Sequence, residues 1–365
     1  MSASRPTVGI IGLGYGRAHV PGFQARGCEV VAVSQRDEVA ARKVAAQYGV
    51  PQVYARWEEL IERARPQIVV VATPVHLHAP ITERAFAAGA HVLCEKPLAM
   101  SAGEARVMID GAARAKRVGM TAFNWRFTPA MQEFHRLVGE GVLGRVFHVR
   151  AWWYGARWAD EAAAPTWRMD RAQAGFGALG DMGVHLVDLV RWSFGEWARV
   201  TAVSGVAYPQ RSAPGLARPA DAEDHCTVLG ELASGPQVTL MVSRVAHGKN
   251  EHVVEAFGSA GALTYRYVRE GAAWTNGEVW LARGGKAPER VTPRGPQPAV
   301  EGDMLEQIGR GTIAPLVDVL LDGIRTGQSP SPSFEDGLRA QVVLDAAVAA
   351  ASRWAELPAT TPARA

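Results

Sequence analysis

The chain has 365 residues, of which 48% are hydrophobic and 21% are charged, and its 39 basic and 36 acidic residues give a net charge of +3. This composition is that of an ordinary globular protein of two domains, and without a basic block it argues against nucleic acid as a partner. No apolar run approaches the roughly 18 residues of a membrane span and the amino terminus lacks a leader pattern, so we expect a cytoplasmic protein with no membrane partner.

The first part of the chain alternates short apolar strands with helices. Strands are predicted at residues 7–11, 29–33, 68–71 and 90–94, with helices ending near residue 26, at 38–48 and at 80–89. Strands and helices in this order give a parallel sheet covered on both faces. We therefore predict a doubly wound Rossmann domain over residues 1–123.

A glycine turn follows the first predicted strand. Gly12 and Gly14 supply the first two glycines of G-x-G-x-x-G, where the backbone approaches a pyrophosphate at a helix N-terminus. The third position is Arg17, which can neutralise phosphate or point to solvent. A plain strand-to-helix turn also accounts for these glycines, so the motif is weak by itself.

The end of the second strand indicates which dinucleotide is bound. An acidic residue there binds the ribose of NAD, but this chain has Ser34, Gln35 and Arg36, and Asp37 comes late. A small hydroxyl with an arginine suits the 2′-phosphate, so NADP is favoured over NAD. A solvated turn in which Arg36 touches nothing is the alternative.

Lys96 follows the predicted strand at 90–94, in Glu95-Lys96-Pro97. Ligands of open α/β sheets bind beyond the carboxyl ends of the strands. The chain has 34 arginines and five lysines, and lysine, unlike arginine, can lose its proton. Lys96 is therefore a candidate proton-transfer group, although a surface lysine before proline fits the placement equally well.

Residues 124–365 are predicted to form a second domain. After a helix at 129–140 and an aromatic strand at 145–154, a glycine-rich stretch precedes a helix at 181–194. Successive strands without intervening helices then predict an open, mostly antiparallel sheet. They are expected at 200–208, 226–232, 238–245, 252–257, 262–268 and 279–283, with closing helices at 303–325 and 334–354. Residues 208–222 and 284–302 are predicted to be mobile loops.

Asp181 and His185 are four residues apart, and Asp188 follows three later. On a helix this spacing places all three on one face. Asp181 is also well placed to cap that helix. As a pair facing Lys96, Asp181 and His185 can orient a hydroxyl and share its proton.

Metal binding is not predicted. His76 and His78, and the pair Asp224 and His225, lack further ligands at suitable spacing. The three cysteines are far apart and are expected to be reduced, buried side chains.

Taken together, these motifs resemble those of the Gfo/Idh/MocA family of nicotinamide-dependent oxidoreductases. The resemblance covers nearly the whole chain, through the glycine turn, residues 72–76, 95–97, 124–127, 167–168, 180–185 and 258–261. It implies that Lys96 is the catalytic acid and base and that Asp181 and His185 line the substrate pocket. The implied cofactor contacts are Glu95, Thr73, Pro74, His76, Asn124, Trp167 and Arg168.

From this resemblance we expect a dehydrogenase or reductase that acts on a secondary alcohol or ketone of a sugar, inositol or related polyol. The alternatives are a non-catalytic nucleotide-binding regulator and a nicotinamide-assisted glycosidase. Family members commonly form dimers or tetramers through the outer face of the second sheet, so a homodimer or homotetramer is expected.

Overall fold

The chain folds around two sheets, and the computed structural model describes residues 5–211, 219–268, 276–295, 297 and 302–350. The strands of the first sheet are β1 (Thr7–Ile11), β2 (Glu29–Ser34), β3 (Gln52–Tyr54), β4 (Ile68–Val71), β5 (His91–Cys94) and β6 (Gly119–Thr121). Its helices are α1 (His19–Gln24), α2 (Glu38–Tyr48), α3 (Trp57–Glu59), α4 (His78–Ala87) and α5 (Ala102–Ala115).

The first sheet is parallel throughout, in the order β3-β2-β1-β4-β5-β6. Its central strand β4 is buried at every residue, which explains its unbroken run of β-branched side chains. The order reverses between β1 and β4, where the connections leave in opposite directions and open a crevice at the carboxyl ends of the strands.

The second sheet has eight strands in the order β14-β13-β12-β11-β7-β10-β9-β8. They are β7 (Val146–Gly155), β8 (Trp197–Gly205), β9 (His225–Leu232), β10 (Gln237–Ser243), β11 (Asn250–Gly258), β12 (Gly261–Val268), β13 (Glu278–Arg283) and β14 (Glu289–Val291). Only β7 and β10 pair in parallel among these described strands. The predicted fold class, a Rossmann sheet followed by an open, mostly antiparallel sheet, is confirmed.

The remaining helices connect and cover the two sheets. They are α6 (Pro129–Gly139), α7 (Arg171–Ala174), α8 (Val184–Phe194), α9 (Met304–Ile308), α10 (Ala314–Thr326) and α11 (Phe334–Ala349). Helix α11 contacts α5 and β6 of the first half of the molecule and α8 and β8 of the second half. The C-terminal helices therefore join the two halves of the molecule. Within the described ranges, every helix is too short or too polar to traverse a bilayer.

Several element predictions need correction. A π-helical turn, Gly309–Ile313, divides the predicted helix at 303–325 into α9 and α10, and another, Leu179–Gly183, precedes α8. The predicted loop at 284–302 contains β14, and its residues 296 and 298–301 lie outside the described residues, as do 212–218 of the other loop and 351–354 of the last helix. Strands β3 and β6 were missed, since each has only three residues.

Candidate active site

A cleft of about 470 Å³ lies between the first sheet and the end of the second sheet. On the first sheet it is bordered by the segments that follow β1, β4 and β5. On the second sheet it is bordered by the ends of β7 and β10 and by the start of β11. Among its lining residues are Tyr15, Thr73, Glu95, Lys96, Trp167, Arg168, Asp181 and His185.

The glycine turn has the backbone that a dinucleotide requires. Gly12 has φ +89°, and a Cβ atom there would lie 2.4 Å from the carbonyl oxygen of Ala72. Gly14 is exposed, and a Cβ there would meet nothing within 4 Å. A turn that exposes a glycine and leads toward α1 is a cradle that fits a pyrophosphate.

The third position of the motif has a different use in this chain. Nη2 of Arg17 donates to Asp303 at 2.8 Å, and Asp303 caps α9. The close packing usually provided by the third glycine is provided by Gly16, where a Cβ would lie 2.8 Å from the Cβ of Ala72. Arg17 therefore pairs with a carboxylate, and solvent is not its only neighbour.

Ser34, Gln35 and Arg36 lie at the end of β2, outside the cleft lining. The carbonyl of buried Ser34 accepts from Gly12 N–H at 2.8 Å, and Gln35 Oε1 accepts from Leu13 N–H at 3.2 Å. The Arg36 side chain is exposed. Asp37 accepts the N–H of Ala40 and caps α2, so the late acidic residue has a structural role.

Lys96 and Asp181 meet inside the cleft. Nζ of Lys96 donates to the backbone oxygen of Asp181 at 2.6 Å and lies 3.3 Å from its Oδ1. Only 12% of the Lys96 side chain is exposed, so the amine does not face bulk water. Asp181 is not a helix cap, because it lies inside the π-helical turn. Its carboxylate contacts the cations of the cleft.

The charges around Asp181 keep it ionised. Burial by itself raises the pKa of the Asp181 carboxyl. The surrounding cations, Lys96 first and then Arg168 and Arg244, outweigh burial and hold that pKa well below its ordinary value. Asp181 can therefore accept a hydrogen bond from a hydroxyl at any pH near neutrality.

Glu95 and Pro97 support Lys96 from both sides. Glu95 Oε1 lies 2.8 Å from His19 Nε2, and Oε2 accepts the N–H of Lys96 at 3.3 Å. The Lys96–Pro97 peptide is cis. The buried ring of His78 lies 3.0 Å from the carbonyl oxygens of both Thr73 and Pro97. His19 and His78 thus connect the strand ends, and no local sequence signal indicated either role.

His185 is buried and lines the cleft, with its ring stacked on Trp153 at a centroid distance of 5.6 Å. Asp188, three residues later on α8, is not among the lining residues of the cleft. Its carboxylate accepts from Nε of buried Arg126 at 2.7 Å. Asp188 therefore has a structural partner of its own.

The other predicted cofactor contacts divide into two groups. Thr73, Trp167 and Arg168 line the cleft, and the Arg168 guanidinium stacks over Trp167. Three lie outside the lining. Pro74 lies between two lining residues, and exposed His76 contacts the carbonyl of Gln173 at 3.2 Å. Buried Asn124 donates to Thr312 at 2.8 Å and to the lining residue Tyr15 at 3.4 Å.

Four lining residues on the second-sheet side of the cleft were not predicted, Arg157, Arg244, Lys249 and Asn250, and neither were Met304 and Ile308 of α9. They come from segments distant in the chain, and none belongs to a motif with fixed spacing. The described residues include no group of three or more His, Cys, Asp or Glu side chains arranged to hold a metal ion.

Both domains of the chain are similar to known proteins. Residues 7–123 match the model of an oxidoreductase family with an NAD-binding Rossmann fold, and residues 131–264 match the Gfo/Idh/MocA C-terminal domain. Levoglucosan dehydrogenase of Pseudarthrobacter phenanthrenivorans is 31% identical over 96% of this chain and 98% of its own. Inositol 2-dehydrogenase of Rhizobium meliloti is 28% identical over 93% and 95%.

Solved structures of related enzymes are also similar to this chain. A levoglucosan dehydrogenase in complex with NADH and levoglucosan superposes with a TM-score of 0.84, at 28% identity over 95% of this chain and 97% of that one. An aldose-aldose oxidoreductase from Caulobacter crescentus complexed with glycerol gives 0.77, at 28% identity over 95% and 97%.

Proposed function

The chain belongs to the Gfo/Idh/MocA oxidoreductase family, and we propose that it transfers a hydride between a nicotinamide dinucleotide and a secondary alcohol or ketone carbon of a sugar, inositol or related polyol. The observation that carries this proposal is the Lys96 amine, which lies 3.3 Å from an ionised carboxylate within a cleft that opens beside the glycine turn. Relatives named for levoglucosan, inositol and D-glucoside support the substrate class.

The protein's own groups handle the proton. A bound dinucleotide would accept a hydride from the carbinol carbon at its nicotinamide ring. In the oxidation direction, Nζ of Lys96, as the neutral amine, takes the proton of the hydroxyl on that carbon. The ionised Asp181 carboxylate holds the substrate hydroxyl by accepting its hydrogen bond. His185 relays the proton onward. In the reduction direction the Lys96 ammonium returns its proton to the carbonyl oxygen.

The glycine turn, with Glu95, Trp167 and Arg168, would hold the dinucleotide, and we propose NADP as the preferred form. Ser34 and Arg36 support NADP, and the engagement of Asp37 as a helix cap supports it further. The matched Rossmann model is described as NAD-binding, and relatives bind NADH. Both dinucleotides therefore belong in every assay.

The function is tested by following a panel of polyols and keto sugars at the absorbance of reduced nicotinamide, with NADP and NAD in parallel. We expect Lys96→Met to reduce kcat by about 10² to 10⁴-fold, the usual contribution of a proton-transfer group. Dinucleotide binding, measured by fluorescence titration, should stay within about 3-fold of the wild type, because Lys96 acts on the substrate oxygen.

Three results would count against the proposal. Full activity of the Lys96→Met variant would remove Lys96 from its role. Sugar release without any net change in absorbance would favour the nicotinamide-assisted glycosidase. Dinucleotide binding without turnover of any panel member would favour the non-catalytic regulator.

We also propose a homodimer or homotetramer built through the outer face of the second sheet. Two cross-strand rows of that face contain apolar side chains, Trp152–Met241–Thr227–Val203 and Arg150–Thr239–Leu229–Thr201. Leu229 is 52% exposed and Val203 is 42% exposed, and such a patch is typical of an interface. Light scattering should give two or four times the chain mass of 39.1 kDa. The cytoplasmic location stays a prediction.

A further inference from the structure

The second-sheet side of the cleft is cationic. Five basic side chains line the cleft, Lys96, Arg157, Arg168, Arg244 and Lys249, against two carboxylates, Glu95 and Asp181. Three of the five follow β7 and β10 or precede β11. Because β7 and β10 are parallel and β11 is antiparallel to β7, these three meet at one end of the second sheet. All three line the cleft from the second sheet.

The existing ion pairs balance some of these charges. Nε of Arg244 donates to Asp224 at 2.7 Å, and both side chains are buried. Lys96 and Arg168 share Asp181, and Arg168 is the side chain we assign to the dinucleotide. The two remaining cations of the cleft are Arg157 and Lys249.

Arg157 is the unbalanced cation. Its guanidinium stacks over Trp158 at 4.8 Å, and within the described ranges it forms no ion pair with a carboxylate. Lys249 lies at the same end of the sheet, and its carboxylate neighbour Glu251 is 3.8 Å away. A cation that stacks on an aromatic ring at the mouth of a cleft is arranged to receive an anionic group.

The segment that carries Arg157 is fixed by specific contacts. The N–H of Trp158 donates to the carbonyl of Arg244 at 3.2 Å. Arg211 is buried, and its Nη2 donates to the carbonyls of Trp158 and Asp160 at 2.9 and 2.7 Å. The Tyr208 hydroxyl donates to the carbonyl of Ala159 at 2.8 Å. Arg157 is thus presented by an anchored segment, which lowers the entropic cost of binding a ligand.

From this arrangement we infer that the substrate is an anionic sugar or polyol, with a carboxylate or phosphate that Arg157 binds while the reacting hydroxyl lies at Lys96. This inference rests on the proposed function and deepens it. The neutral hydroxyls have Asp181, His185 and Asn250 as polar partners in the cleft, and the aromatic walls suit the C–H face of the ring.

The test compares substrates that share one carbon skeleton: glucose, glucuronate and glucose 6-phosphate, at constant ionic strength with the dinucleotide saturating. We expect wild-type kcat/KM to be at least about 10-fold higher for one or both anionic sugars than for glucose. Arg157→Gln should remove that preference, because it should lower kcat/KM for the anionic sugars at least about 10-fold more than kcat/KM for glucose. The anionic group is a carboxylate if the preference is seen with glucuronate, and a phosphate if it is seen with glucose 6-phosphate.

The control is Arg114→Gln, since Arg114 is an exposed arginine on α5, outside the cleft lining. It should match the wild type with all three sugars. A preference for glucose, or an equal loss with all sugars in the Arg157→Gln variant, overturns the inference and leaves the proposed oxidoreductase intact.

Binding provides a readout that does not need turnover. Tryptophan fluorescence can be titrated with glucuronate and glucose 6-phosphate, because several tryptophans line the cleft. An affinity at least about 10-fold weaker in the Arg157→Gln variant supports the inference even when no sugar is oxidised. Absence of turnover with every sugar in the panel would instead count against the proposed function. Equal affinities in both proteins overturn the inference.

Discussion

At the scale of single residues, Arg36 is the side chain on which our proposed preference for NADP depends. It is exposed at the end of β2, next to a turn that binds Gly12 and Leu13 through Ser34 and Gln35. Arg36→Ala should lower kcat/KM with NADP by about 10- to 100-fold, the contribution of a charge-assisted hydrogen bond. Activity with NAD should change by less than about 2-fold, since NAD lacks the 2′-phosphate.

Steady-state kinetics with both dinucleotides measure this difference. Arg42→Ala is the control, because Arg42 is an exposed arginine on α2 that pairs with Glu38. Equal effects of Arg36→Ala on both dinucleotides would show that Arg36 does not recognise the phosphate.

Lys96, Asp181 and His185 could be found from the sequence because each follows a regular signal. Lys96 directly follows a buried strand, and Asp181 and His185 have helical spacing. Their supporting groups could not be found in the same way. His19 lies 76 residues from its partner Glu95, and only the assembled sheet brings the two within 2.8 Å.

At the scale of secondary-structure elements, the turn between β1 and α1 contains two glycines with different roles. At Gly12 the fold requires glycine, because φ is positive and a Cβ would collide with the carbonyl of Ala72. At Gly14 the surroundings are open. Only a ligand above the turn would make a side chain at Gly14 unfavourable.

This difference gives a matched pair of variants. Gly12→Ala should lower the free energy of unfolding by about 2 kcal/mol or more, since it combines backbone strain with a steric clash. Gly14→Ala should leave the free energy of unfolding within about 0.5 kcal/mol. It should raise the dinucleotide Kd by about 10-fold or more, because the added methyl group separates the pyrophosphate from the turn.

Chemical denaturation and fluorescence titration measure the two quantities independently. Unchanged dinucleotide affinity in the Gly14→Ala variant would contradict the assignment of this turn to the pyrophosphate. A Gly12→Ala variant as stable as the wild type would contradict the clash with Ala72.

At the scale of the whole molecule, contacts between distant segments account for what the sequence left unpredicted. The two-sheet architecture follows from apolar periodicity, and it was predicted correctly. The use of Arg17 depends on Asp303, which lies 286 residues away, and the orientation of Asp188 depends on Arg126. Such long-range ion pairs have no local signature, so they appear only when the C-terminal helices pack against the rest of the chain.

One of these long-range clusters connects both halves of the molecule and makes stability depend on pH. Asp336, in the first turn of α11, forms ion pairs with Arg126 and Arg191. Burial raises the pKa of the Asp336 carboxyl, but Arg126 and Arg191 outweigh burial, and the pKa is lowered to about 2.

Because this pKa is lower in the folded than in the unfolded state, the ionised carboxylate stabilises the fold above about pH 4, the pKa of an unperturbed aspartate. The stabilisation is lost as the pH falls toward 2. Asp336→Asn should therefore lower the free energy of unfolding by about 2 to 3 kcal/mol at pH 7. The gap between variant and wild type should narrow steadily between about pH 5 and pH 3.

Urea denaturation of both proteins at pH 7, 5, 4 and 3 (about one unit apart across the titration) measures this gap. Asp322→Asn is the matched control, because Asp322 pairs with Arg325 on the exposed surface of α10 and should contribute less than about 0.5 kcal/mol at any pH. A gap that stays constant with pH would mean that the charge of Asp336 does not contribute, and that its hydrogen bonds to Ser333 in the first turn of α11 account for the effect. A gap that closes as the pH falls would mean that the ion pairs with Arg126 and Arg191 hold α11 between the two sheets.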